Sequence, residues 1–184
     1  MAHGDTRSTA KDMLRSLAVI LIPLLVIIWV FTRTPDEPQV DPVDWRPAVA
    51  DARSGAGYPV LAPVEVPTDW KPVKARYVDR GGQWVGSTQA AGNRWELGFR
   101  SGDDIYMAVN QSDEPGKDAY IGSVTRSSHP DGTSTIDGQT WQRRVSQDGR
   151  TRSLVRAVGG STAVVVADTG YPALESFAQT LRTS

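Results

Sequence analysis

The sequence predicts an α+β protein: an N-terminal transmembrane helix, then an antiparallel β-sheet of about six to seven strands in meander-like order, packed by a C-terminal helix. Three observations predict it. Ser16 to Thr32 (SLAVILIPLLVIIWVFT) holds no formal charge and is fenced by Arg15 and Arg33. The middle of the chain alternates apolar and polar side chains between short turn signals. Near the C-terminus Leu174, Phe177, Ala178 and Leu181 recur at i, i+3, i+4 and i+7, the stripe of an amphipathic helix.

As a helix the apolar run of residues 16–32 spans roughly 25 Å at about 1.5 Å per residue, a little short of a hydrocarbon core of about 30 Å. Arg15 and Arg33 make up the difference by snorkelling, and Trp29 sits where an interfacial aromatic belongs. The run is apolar on every side and contains Pro23, which lipid-spanning helices tolerate better than soluble core helices do. Arg7, Lys11 and Arg15 precede it in the manner of a signal peptide. Its C-terminal end, WVFTRTPDEP, lacks the small residues that a signal peptidase requires, so an uncleaved anchor is expected. Basic residues gather before the run, whereas Asp36, Glu37, Asp41 and Asp44 come after it. This places the N-terminus in the cytoplasm and the large C-terminal part outside.

From Arg33 to about Gly57 the chain carries Pro35, Pro38, Pro42 and Pro47 and is expected to be an extended, semi-rigid stalk. The domain organisation is therefore a cytoplasmic tail over 1–15, a transmembrane helix over 16–32, a Pro-rich linker over 33–57 and an extracytoplasmic α+β domain over 58–184. Pro59, Pro63, Pro67 and Pro72 limit the start of that domain to an extended segment or an edge strand. Beyond it, Gly81-Gly82, Gly92-Asn93, Gly102-Asp103, Asp137-Gly138, Asp148-Gly149 and Gly159-Gly160 suit tight hairpin turns. Trp95, Leu97 and Phe99 share one strand face against Arg94, Glu96 and Arg100. Ile105, Met107 and Val109 repeat the pattern, the mark of a sheet packed on one side. Residues 162–167 (TAVVVA) are apolar almost throughout and suit a central strand covered on both faces. Residues 117–125 have the composition of a short helix, and Pro172 suits the first turn of the last one, with Asp168 or Thr169 as cap.

Composition narrows the function. The net charge is −1, and there is no basic surplus of the kind nucleic-acid binding requires. Cysteine is absent, which excludes a disulfide framework, a thiol nucleophile and any Cys-ligated metal. Two histidines are present, His3 and His129, and the sequence SSHPDGT around the second reads as a solvated turn. No phosphate-binding glycine motif occurs, and neither Asp103-Asp104 nor Asp131 with Asp137 has the spacing of a Ca²⁺ loop. No cofactor is expected. Asn110-Gln111-Ser112 matches a glycosylation pattern and is read as coincidence.

The densest charge cluster is Arg143, Arg144, Arg150, Arg152 and Arg156. On a hairpin turning at Asp148-Gly149, several of these could share a face and meet lipid phosphates or an anionic polymer. Cross-strand pairing that merely solubilises the sheet is the plainer alternative. Trp84, Trp95 and Trp141 could line a groove, but Trp95 shares its face with Leu97 and Phe99, as a core residue does.

Several segments taken in order carry a family likeness. These are Asp12-Met13 before the anchor, YPVLAPVEVPTDW (58–70), WELGF (95–99), Val109-Asn110-Gln111-Ser112, IDGQTW (136–141) and SLVR (153–156). The set resembles an actinobacterial family of single-pass membrane proteins known as domain-of-unknown-function family 4245. That resemblance implies a bacterial cell-membrane protein with an exported domain and brings no activity with it. The sheet order also has a looser likeness to PsbP-type antiparallel α+β domains, an analogy that assigns no function. The expected function is a non-catalytic envelope module with a protein-interaction or accessory role, anchored in the bilayer through residues 16–32, whose partner is an envelope protein or an anionic polymer. The alternative is a small-molecule or lipid-binding domain, which requires a pocket of several hundred Å³.

Overall fold

The computed structural model describes residues 6–31 and 44–183. The chain forms two compact units, Met1–Val40 and Asp41–Ser184.

In the first unit, helix α1 runs over Thr6–Phe31. It begins ten residues before the expected Ser16 boundary, because Ala10, Lys11, Met13, Leu14 and Arg15 are all strong helix formers. The segment expected as a cytoplasmic tail is therefore, from Thr6 onward, part of the same helix. Asp12–Trp29 has a mean hydropathy of 2.1 and none of its residues is buried, so α1 is long and apolar enough to cross a membrane.

The second unit contains α2 (Arg46–Gly55), β1 (Leu61–Pro63), β2 (Lys71–Val78), β3 (Gln83–Val85), β4 (Thr88–Gln89), β5 (Arg94–Arg100) and β6 (Tyr106–Ser112). It continues with α3 (Lys117–Val124), β7 (His129–Ile136), β8 (Gln139–Val145), β9 (Arg152–Val158), β10 (Ser161–Ala167), α4 (Tyr171–Thr180) and β11 (Leu181–Thr183). Among the described residues, seven strands form one antiparallel sheet in the order β2-β5-β6-β10-β9-β8-β7. The meander holds within each half. Between the halves α3 carries the chain to the far edge, so that β10 returns to pair with β6. The TAVVVA strand, β10, is the middle strand, as its two-sided apolarity predicts.

One sheet face bears Trp95, Leu97, Phe99, Met107, Val109, Val165, Leu154 and Trp141. It is covered by Leu174, Phe177 and Ala178 of α4, by α2, and by the small β1–β11 sheet. Phe99 makes edge contacts with Trp45 (ring centroids 5.9 Å apart) and Phe177 (6.1 Å).

That packing corrects the linker boundary. Residues 46–55, expected as extended stalk, form α2, and Trp45, Val49, Ala52 and Ala56 are buried in the main core. The reason is local. Pro47 falls in the first turn, where it costs no hydrogen bond, the Asp44 carboxylate accepts from the Arg46 N–H at 3.2 Å, and the apolar residues recur at helical spacing. Pro35, Pro38 and Pro42 of the expected linker lie outside the described residues. At the other end, α4 starts after Gly170 rather than Asp168 or Thr169. It stops at Thr180, so Leu181 is buried from a strand rather than from the helix.

Candidate functional site

The second face of the sheet is only partly covered. Tyr120, Ile121 and Val124 of α3 pack on Val155 and Val164 at the sheet centre. Between α3 and the β3–β4 hairpin, strands β2, β5, β6 and β10 floor an open cleft of about 760 Å³. Gly98 and Ala108 stand opposite each other in the β5–β6 register, so two small residues meet on this face. The Tyr106 ring lies over Gly98, where a Cβ would come 2.7 Å from a ring carbon.

Every charged side chain lining the cleft already has an opposite partner on the protein. Lys74 Nζ meets Glu96 Oε2 at 2.8 Å, and Arg126 meets Asp168 at 3.9 Å. Asp104 accepts from Arg100 at 2.6 Å. Arg94 donates from Nε at 2.9 Å and from Nη2 at 2.5 Å to one oxygen of Glu114, with its guanidinium near the rings of Trp84 (5.2 Å) and Tyr120 (5.5 Å). Arg76 holds the same Trp84 ring at 4.8 Å. Asp168 also accepts from the Thr151 hydroxyl at 2.5 Å.

The neutral polar groups are different. Asn110, only 7% exposed, faces the cleft beside Glu96, and among the described residues no hydrogen bond occupies its side-chain amide. The hydroxyls of Tyr106 and Tyr120 are likewise without a hydrogen-bond partner among the described residues. Burial, aided by the Glu96 charge, pushes the Tyr106 phenol up to about 12. Burial likewise raises the Tyr120 phenol far above its ordinary value. Both therefore remain protonated donors at neutral pH. The cleft thus offers unfilled donors and acceptors beside aromatic surface, with its charges internally neutralised.

The arginine cluster is divided among three places. Arg143, Arg152 and Arg156 lie on the face that carries α4: Arg143 and Arg152 approach the Tyr171 ring (4.6 and 5.6 Å) and Arg156 the Trp141 ring (4.8 Å). Arg143 also bonds Glu175 Oε1 at 2.6 Å and Ser134 Oγ at 2.6 Å, and Arg156 bonds Gln139 at 3.0 Å. Arg144 points to the opposite face and bonds the hydroxyl and carbonyl of Ser128. Arg150 sits after the β8–β9 turn, where its N–H donates to Asp148 at 3.1 Å. Of the tryptophans, Trp95 and Trp141 are core residues and Trp84 lines the cleft.

Sequence reasoning did not single out Lys74, Glu96, Tyr106, Asn110 or Tyr120 as site residues. The signal that existed was indirect. A central strand apolar on both faces requires cover on the second face. The facing pair of small residues, Gly98 and Ala108, marks where that cover stops. Gln111 carried no signal either. It lies wholly buried on the opposite face of the sheet.

Residues 6–181 match the family described as "Protein of unknown function (DUF4245)". No curated protein and no solved structure matches the chain.

Proposed function

We propose, for a chain that belongs to the DUF4245 family, a non-catalytic, membrane-anchored module of the bacterial cell envelope whose extracytoplasmic domain binds a small ligand in the α3/β3–β4 cleft. Helix α1 is the single span, with its N-terminus in the cytoplasm by the excess of Lys and Arg before the run. The observation that carries the binding reading is the cleft itself: about 760 Å³, within the ordinary size of ligand sites, with the neutral polar groups of Asn110, Tyr106 and Tyr120 on its wall lacking a hydrogen-bond partner among the described residues. This favours ligand binding over a role as an interaction surface built on the arginine cluster, because Arg143, Arg144 and Arg156 are each held by a neighbour, Glu175, Ser128 and Gln139 in turn. A non-catalytic role is supported by the scatter of the titratable candidates. Asp104 lines the cleft, whereas Asp131 accepts from Tyr171 beside α4.

The test is thermal denaturation of the full chain in detergent micelles across a library of water-soluble metabolites, repeated with Ala108→Phe, which fills the cleft floor. A true ligand raises the stability of the wild type by about 2.7 kcal/mol at a hundredfold excess over its Kd and leaves the filled variant unmoved. If no compound separates the two proteins, the binding reading fails.

A further inference from the structure

Resting on the cleft as a binding site, we infer that its ligand is a neutral saccharide. Three features of the site point there together. First, the charged groups of the lining are paired: Lys74 with Glu96, Arg94 with Glu114, Arg126 with Asp168 and Asp104 with Arg100. An ionic ligand would have to compete with an existing partner for each of them, and that competition removes most of its Coulombic gain. A neutral ligand leaves the pairs intact and uses the lone pairs they retain.

Second, the groups without partners are those a hydroxyl complements. The Asn110 side chain, more than nine-tenths buried, supplies both a donor and an acceptor, and the phenols of Tyr106 and Tyr120 supply one of each. Glu96 spends one carboxylate oxygen on Lys74 and keeps the other. A sugar hydroxyl donates and accepts at once, so a polyol satisfies this mixed set where a purely donating or purely accepting ligand cannot. These groups open onto the cleft, so a polyhydroxylated molecule can take the place of the water that would otherwise solvate them.

Third, aromatic rings stand beside the polar floor. Tyr106 lies over Gly98 and is still 37% exposed, so ring surface remains open for the apolar C–H face of a pyranose. Trp84 stands on the hairpin across the cleft, held by Arg76 and Arg94. Polar floor and aromatic platform together match the two unlike faces of a sugar ring. Neither feature alone selects one.

The experiment is titration of the full chain in detergent micelles, followed by tryptophan fluorescence and by saturation-transfer NMR. The probes are cellotriose, maltotriose and N,N′-diacetylchitobiose as neutral sugars, chitosan trimer as a cation, and trigalacturonate and inorganic phosphate as anions. At least one neutral sugar is expected to bind. Asn110→Leu should weaken it by about tenfold and Tyr106→Phe by about threefold, the losses expected for single hydrogen bonds at such a site. Because Asn110→Leu alters a buried position, Tyr106→Phe and Tyr120→Phe, which remove one oxygen each, keep the result interpretable if that variant fails to fold. Binding of only the charged probes, or of a non-sugar metabolite whose effect Ala108→Phe abolishes, would overturn the saccharide assignment and leave the binding module standing. Absence of any Ala108→Phe-sensitive ligand would remove both.

Discussion

Lys74 and Glu96 meet at 2.8 Å diagonally across β2 and β5: Lys74 stands opposite Gly98 in the register, and Glu96 stands opposite Arg76. The two ends of this pair live in different surroundings. The Glu96 side chain is 11% exposed and the Lys74 side chain 45%. The carboxylate therefore depends on the ammonium more than the ammonium depends on it. Lys74→Met should destabilise the domain by about 1–3 kcal/mol, the cost of stranding a largely buried charge. The double variant Lys74→Met with Glu96→Met should recover most of that loss. Urea denaturation of the full chain checks both, and a double variant no better than the single one contradicts the account.

Gln111 ties three segments together from a fully buried position. Its Oε1 accepts from the Leu61 N–H at 2.5 Å, and its Nε2 donates to the Pro59 carbonyl (3.0 Å) and to Ser161 Oγ (3.1 Å). Gln111→Met keeps the volume and strands two backbone groups, so it should cost about 2–4 kcal/mol. Ser161→Ala, which leaves those two backbone bonds in place, should cost only about 1 kcal/mol. Equal midpoints for the two variants in chemical denaturation would refute this ranking.

The β9–β10 turn contains two glycines with unequal demands. Gly159 has φ +51°, and a Cβ there would collide with Cδ of the rigid Pro59 ring. Gly160 has φ +88° with open space around it. Alanine at 160 should cost about 1 kcal/mol for the left-handed backbone alone, and alanine at 159 at least about 2 kcal/mol more, since the clash adds to the same strain. Melting temperatures of the two variants measure the difference.

Glu175 gives the domain part of its acid sensitivity. The Ser134 hydroxyl and then the Arg143 guanidinium hold its pKa below the ordinary 4.5. With the folded pKa the lower one, the unfolded chain binds more protons on acidification. The stabilisation is therefore complete above about pH 4.5 and is lost as the pH falls through the folded value. Glu175→Gln should show a flatter decline of stability below that pH than the wild type, read from denaturation midpoints at about pH 6 and about pH 3.5.

Patterns that depend only on neighbours along the chain were legible without coordinates. The charge-free run of 16–32 required a helix apolar on all sides, and α1 contains it up to Phe31. Alternation in Trp95–Leu97–Phe99 and Met107–Val109 identified the core face, and the two-sided TAVVVA run identified the central strand. Proline counting misled over 46–55. Pro47 terminates nothing when it falls in a first turn, and Trp45 and Val49 gain more by burial than the stalk would by staying extended.

The site belongs to the tertiary structure. Glu96, Asn110 and Tyr106 read as the solvated side of an alternating pattern, and period two says only that they share a face, not whether that face is wet, covered or hollow. What makes it a cleft is the length and position of α3, which covers Val155 and Val164 and stops short of the Gly98–Ala108 pair. Pairing of each charge with its partner is likewise decided by strand register, a property of non-local contacts that no window along the chain contains.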